Sequence, residues 1–152
     1  MEFTKKEAFI KQIGLYMENQ DYESAYNLGV EFSNKFKDEL TAYFLMAKAA
    51  FRMKKFADAA KAARTAFNLA TTNKDMLTCA ILLSASYYMQ GDKINAYKIL
   101  NQVLGKEQNN DAERFMFIYS LGIQNNDEAA EHLERLYQSN KLAAREFMKL
   151  FF

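Results

Sequence analysis

The chain has no proline and no tryptophan, one cysteine, one histidine and five glycines in 152 residues. Proline and glycine are the two residues that cost most inside a helix, so their scarcity favours an all-helical chain. A single cysteine, Cys79, excludes an intramolecular disulfide and a four-cysteine zinc site. A lone thiol fits a reducing compartment, and a cytoplasmic location is expected. A single histidine, His132, excludes a histidine-rich metal site and any HExxH pair. Charge of one sign is also missing: 20 basic residues oppose 19 acidic ones. Nothing global therefore points to nucleic acid or to an anionic membrane. No apolar run approaches the roughly twenty residues of a membrane span. The opening MEFTKKEAFIKQIG lacks an uninterrupted apolar core and a small-residue cleavage site, so it does not read as a signal peptide. No glycine-rich phosphate loop is present, and no cofactor is expected.

What is present is half hydrophobic, 14% aromatic and 26% charged. That is an ordinary globular composition, too rich in aromatics for disorder, and a chain of this length defaults to one domain, residues 1–152. Residues 40–69 are the most regular stretch. Tyr43, Met46, Ala47 and Ala50 recur at helical spacing, as do Phe56, Ala59, Ala60, Ala63, Ala66 and Phe67 after the break at Lys54-Lys55. Each run has one apolar stripe, and alanines on both stripes let two helices approach closely. The stretch predicts a helical hairpin opened by Asp38.

The rest of the chain repeats the unit. Thr4 with Glu7 reads as a capping box for a first helix striped by Phe9, Ile13 and Tyr16. Asp21 caps a second, with Tyr22, Ala25, Leu28, Gly29 and Phe32 inward. Gly29 costs about 1 kcal/mol relative to alanine, which close helix approach would offset. A long apolar helix over 76–90 ends at Gly91, and Asp92 caps the next. Asn110 with Glu113 reads as a further capping box. Ala129, Leu133, Leu136 and Tyr137 stripe another helix, and Ser139-Asn140 caps a short final one ending in FMKLFF.

Ala25, Ala59, Ala96 and Ala129, the small residue early in each second helix, are separated by 34, 37 and 33 residues. A period near 34 is the mark of a stacked array of hairpins. The excess between the second and third units predicts a longer helix or loop there. The chain resembles the tetratricopeptide (TPR) repeat family over roughly residues 6–138. The second unit matches best, in Tyr43, Met46-Ala47, Ala50, Phe56, Ala59, Ala63 and Ala66; the third matches in Leu83-Ser84, Tyr87, Gly91-Asp92, Ala96 and Val103. The proline that usually ends a TPR repeat is missing from all four. The resemblance implies a right-handed superhelical stack of antiparallel helix pairs, with repeats at about 6–38, 39–73, 75–108 and 110–138 and a C-terminal capping helix at 140–151.

No residue constellation carries chemistry, so an enzyme is not expected. His132 lies among Glu131 and Glu134 and reads as solvated on an exposed helix face; Cys79, in MLTCAIL, reads as a buried small hydrophobe. Asp127-Glu128 falls in a first helical turn, where the helix dipole accounts for it. The run Arg52, Lys54, Lys55, Lys61 and Arg64 reads as a solvated turn and face, with an acidic or phosphate-bearing partner as the alternative.

In proteins of the resembled family the first helices line a concave groove. Carried over, the positions are Glu7, Ile10, Gly14, Met17 and Glu18; Thr41, Phe44, Lys48, Phe51 and Arg52; Thr78, Ile81, Ala85, Tyr88 and Met89; and Arg114, Ile118 and Leu121. Only Lys48 and Arg52 could serve the basic and asparagine clamp by which TPR co-chaperones grip an acidic chaperone C-terminus. The resemblance implies instead an apolar and aromatic groove that binds a protein or peptide partner through Phe44, Lys48, Phe51, Arg52, Ile81, Ala85 and Tyr88. A second reading is a self-associating scaffold subunit of a larger assembly, a homo-oligomer held through its groove or the FMKLFF tail.

Overall fold

The computed structural model describes residues 5–104, 109–142 and 145. Among them are eight helices and no strand: α1 (Lys6–Glu18), α2 (Tyr22–Lys35), α3 (Leu40–Arg52), α4 (Phe56–Leu69), α5 (Asn73–Met89), α6 (Lys93–Val103), α7 (Asn110–Gly122) and α8 (Asn126–Ser139). Each helix packs against the next in sequence, and α1, α3, α5 and α7 also touch in succession. The even-numbered helices make no comparable contact among the described residues. A stack whose odd helices meet while its even helices splay is a solenoid with the odd helices on its inner side.

The hairpin turns explain how the chain manages without proline. α1, α3, α5 and α7 each end in one left-handed residue: Gln20 (φ 60°), Lys54 (φ 61°), Gly91 (φ 87°) and Gln124 (φ 65°). In each turn the amide of the following residue donates back five positions: Asp21 to Tyr16, Lys55 to Ala50, Asp92 to Tyr87 and Asn125 to Ser120, at 2.8–2.9 Å. The left-handed residue itself donates to the carbonyl three positions back in all four. This pair of bonds is the Schellman motif, which satisfies carbonyls the helix end would orphan. Three of the four next residues then cap the following helix: the carboxylates of Asp21 and Asp92 and the amide oxygen of Asn125 accept from the amides of Ser24, Asn95 and Glu128. The turn residues are spaced 34, 37 and 33 apart, the same intervals as the alanines.

The three-residue excess comes from α5, which has 17 residues where α1, α3 and α7 have 13, offset by a loop before it (70–72) that is one residue shorter than the loop before α3 (36–39). It starts at Asn73, earlier than the expected 76, because the Thr72 hydroxyl accepts from the amide of Asp75 and caps an extra turn. Two other expected caps move by one residue. Glu39, not Asp38, precedes α3 and makes no side-chain cap bond. Asn109, not Asn110, caps α7 through the amide of Ala112 at 3.1 Å, since only the residue with extended backbone can turn its side chain onto the free amides. Thr4 lies outside the described residues, as do the FMKLFF tail and most of the expected final helix at 140–151.

Alanine lets the layers close. Ala42, Ala47, Ala49 and Ala50 of α3 and Ala59, Ala60, Ala62, Ala63 and Ala66 of α4 are all buried. Gly29 faces Met46, and a Cβ there would stand 2.7 Å from the Met46 Cγ, so α2 meets α3 where only glycine fits. Phe9 and Phe32 stack at 4.9 Å beneath Phe36, joining α1 to α2. Cys79 is buried in α5, where desolvation pushes its thiol up to about 11 with Asp75 adding to the rise.

Candidate functional site

The inner surface is built by register. Counted back from each left-handed turn residue, Ile10, Phe44, Ile81 and Arg114 are equivalent; so are Gly14, Lys48, Ala85 and Ile118, and Met17, Phe51, Tyr88 and Leu121. Their spacing of four and then three residues puts them on one face of each odd helix. Two adjoining open clefts run along that face. One, of about 440 Å³, is walled by Phe44, Lys48 and Phe51 of α3 and by Thr78, Ile81, Leu82 and Ala85 of α5. Asn109, Asp111 and Phe115 close its α7 side. The other, of about 360 Å³, lies between Met17 and Glu18 of α1, Lys48, Phe51 and Arg52 of α3, and Leu82. Lys48, Phe51 and Leu82 are common to both.

Of the seven residues expected to bind the partner, the structure brings six to these clefts and places Tyr88 apart from their linings; of the other eleven groove positions carried over, Met17, Glu18 and Thr78 line them and the rest do not. The Tyr88 ring packs on Tyr119 at 5.3 Å between centroids, part of the contact that holds α5 against α7. Leu82, Asn109, Asp111 and Phe115 line the clefts without being expected from the sequence. Leu82 and Phe115 are equivalent to each other and one position round from the expected register, so both read as packing residues. Asn109 and Asp111 follow from the shifted start of α7.

Electrostatics divide the groove. The Lys48 ammonium lies 5.8 Å from the centroid of the Phe44 ring, and the Arg52 guanidinium 5.0 Å from that of Tyr22. Both contacts hold the cation over an aromatic face. Neither cation meets a carboxylate within 4.0 Å among the described residues. Asp111, by contrast, is paired with Arg114 at 2.7 Å. Of the other basic residues, Lys54, Lys55 and Lys61 are exposed as expected, whereas Arg64 donates to the Tyr87 hydroxyl at 2.8 Å.

A second polar cluster joins α6, α7 and α8. His132, which reads as solvated in the sequence, is buried: it is only 2% exposed, with its Nδ1 2.8 Å from the carboxylate of Glu113, itself 3% exposed. Glu128 approaches the other ring nitrogen at 3.5 Å and accepts from the Tyr97 hydroxyl at 2.6 Å. Burial first, then the hydrogen bond to Glu128 and its charge, push the Tyr97 hydroxyl up to about 12. Each polar group is answered by another, as a helix junction requires. Among the described residues, no group of three or more His, Cys, Asp and Glu is placed to hold a metal ion, and no helix is long and apolar enough to cross a membrane.

No protein-family model matches the sequence. No curated protein matches it in sequence either. Solved structures do match. The chain is similar to TTC0263, a thermophilic TPR protein in Thermus thermophilus, with TM-score 0.80, 15% identity, and coverage of 98% of this chain and 83% of that one. A crystal structure of MamA aligns with TM-score 0.79 and 18% identity over 91% of this chain and 80% of that one. YrrB, described as a TPR protein with an unusual peptide-binding site, aligns with TM-score 0.72 and 13% identity over 88% of this chain and 68% of that one. The fold is that of tetratricopeptide-repeat proteins, an all-α helical-repeat solenoid, and at these identities the likeness is one of fold.

Proposed function

We propose that the whole chain, residues 1–152, acts as one protein–protein interaction module that takes a partner peptide or helix into the groove of its odd-numbered helices. The observation that carries this reading is the pair of clefts sharing Phe51, Leu82 and Lys48, because half-buried aromatic and aliphatic side chains at the wall of an open cleft are surface that association would desolvate. The anchoring side chains are Phe44, Phe51, Ile81 and Leu82. Ala85 keeps the wall low where an anchor would enter, and Lys48 with Arg52 orients the occupant. Tyr88 contributes from behind by holding α7 in place. YrrB, similar in fold, is described as having a peptide-binding site, which supports a peptide as the partner here. A cytoplasmic setting suits such an adaptor and rests on sequence composition.

The test is a random-peptide display selection on the full chain, with the selected peptides measured against wild type and the Phe44→Ala/Ile81→Ala variant. Neither side chain is fully buried, so the variant keeps its helical circular dichroism. Affinity for the selected peptides falls by about tenfold or more, the scale of losing two anchors. Equal affinity for both proteins contradicts this placement of the site.

A further inference from the structure

Resting on the groove reading above, we infer that the occupant is an internal acidic–apolar segment: apolar anchor side chains on either side of one or two carboxylates, recognised without need of a free chain terminus. The argument is charge complementarity. Lys48 is the one cation that lines both clefts, and it stands where they join, between the apolar surfaces of Phe44 and Phe51. Arg52 follows one helical turn along the same helix. Each is held over an aromatic ring, and each is without a carboxylate within 4.0 Å among the described residues. The acidic groups at the ends of the groove differ. Asp111 is already bound to Arg114, and Glu18 lines the second cleft together with Arg52 and lowers the net positive charge of that cleft. The excess of positive charge is therefore greatest at Lys48, in the middle, with apolar surface on both sides.

An occupant that filled both clefts would pass over this ammonium. A neutral segment would bury part of its hydration with nothing in return, and a basic one would repel it, whereas a carboxylate answers it beside apolar walls that weaken solvent screening. Two groove cations with apolar surface on both flanks suit a side-chain carboxylate between anchors. They do not amount to a multi-point cage for a terminal carboxylate.

The experiment uses the full chain and a random twelve-residue display library. Selected sequences are synthesised with free and with amidated C-termini and titrated against wild type, Lys48→Glu/Arg52→Glu and Phe44→Ala/Ile81→Ala. The inference expects peptides with Asp or Glu between apolar anchors, binding unchanged by amidation, and affinity about tenfold weaker in the charge-reversed protein, as for loss of about one partly desolvated ion pair. The charge-reversed protein should in turn prefer Lys or Arg at the same peptide position. Peptides that lack the acidic residue, or that need a free C-terminus, yet lose affinity in the Phe44→Ala/Ile81→Ala variant overturn this inference and leave the groove in place. Peptides indifferent to Phe44→Ala/Ile81→Ala overturn the groove itself, as does a selection that yields no binder.

Discussion

Single residues decide how closely the layers meet. Gly29 and Gly14 occupy helices of similar kind but opposite surroundings. A Cβ on Gly29 meets Met46 at 2.7 Å, while one on Gly14 meets nothing within 4 Å. Helix propensity favours alanine at both by about 1 kcal/mol. At Gly14 that gain should appear undiminished, so Gly14→Ala raises the denaturation midpoint. At Gly29 overpacking costs on the order of 1–3 kcal/mol and outweighs it. Gly29→Ala therefore lowers the midpoint, and Met46→Ala in the same chain removes most of the conflict. A Gly29→Ala protein as stable as wild type would mean that α2 and α3 are not in contact there. His132 makes the complementary point about burial. Removing its ring leaves the Glu113 carboxylate buried without its partner, a loss of about 3 kcal/mol on the scale of broken buried pairs. Urea denaturation of His132→Ala should show it, whereas a solvated histidine would change stability by about 0.5 kcal/mol or less. The sequence places Gly29 on an inward stripe, but nothing local in it shows that His132 is buried. Among Glu131 and Glu134 the ring looks solvated, and its partner lies 19 residues earlier on another helix.

The helical elements end by backbone geometry rather than by proline. Every hairpin reverses through a left-handed residue, yet only Gly91 is suited to it; Gln20, Lys54 and Gln124 hold the same conformation with a side chain. A left-handed non-glycine residue costs about 1 kcal/mol or more, against a smaller entropic penalty for glycine. Lys54→Gly should therefore stabilise the protein by roughly 0.5 kcal/mol, and Gly91→Ala should destabilise it by about 1 kcal/mol. Thermal melts of the two variants shift in opposite directions; shifts of the same sign would contradict equivalent turns. This device is legible in the sequence only at Gly91-Asp92, because glycine followed by an N-cap residue is the usual sign of such a junction. At the other three turns the sequence shows long polar residues. Distance is what betrays them: the small residues that begin the second helices keep the turns' intervals, because each alanine sits five residues after its turn.

At the scale of the whole molecule, the repeat makes a local pattern into a surface. The packing stripes are largely readable, since alanine, phenylalanine and leucine at helical spacing admit few other arrangements, but Tyr137, expected on the stripe of α8, is exposed. The groove is readable by transfer of register from one unit to the next, and that transfer brings Phe44, Lys48, Phe51, Arg52, Ile81 and Ala85 to two adjoining clefts. It misses Leu82 and Phe115. The groove is deep enough there to reach the next position of α5 and α7, and depth depends on how neighbouring helices tilt, which no single helix encodes. It also misses that Tyr88 serves the α5–α7 junction, since its partner Tyr119 on another helix is a tertiary fact. The central claim, that the odd-numbered helices present the binding surface, is tested most directly by titrating a selected peptide into the isotopically labelled full chain and mapping the amide and methyl shifts. The account predicts that the largest changes fall on Phe44, Lys48, Phe51, Ile81, Leu82 and Ala85. Changes concentrated on the outer faces of α2, α4 and α6, with the α3–α5 cleft unmoved, would contradict it.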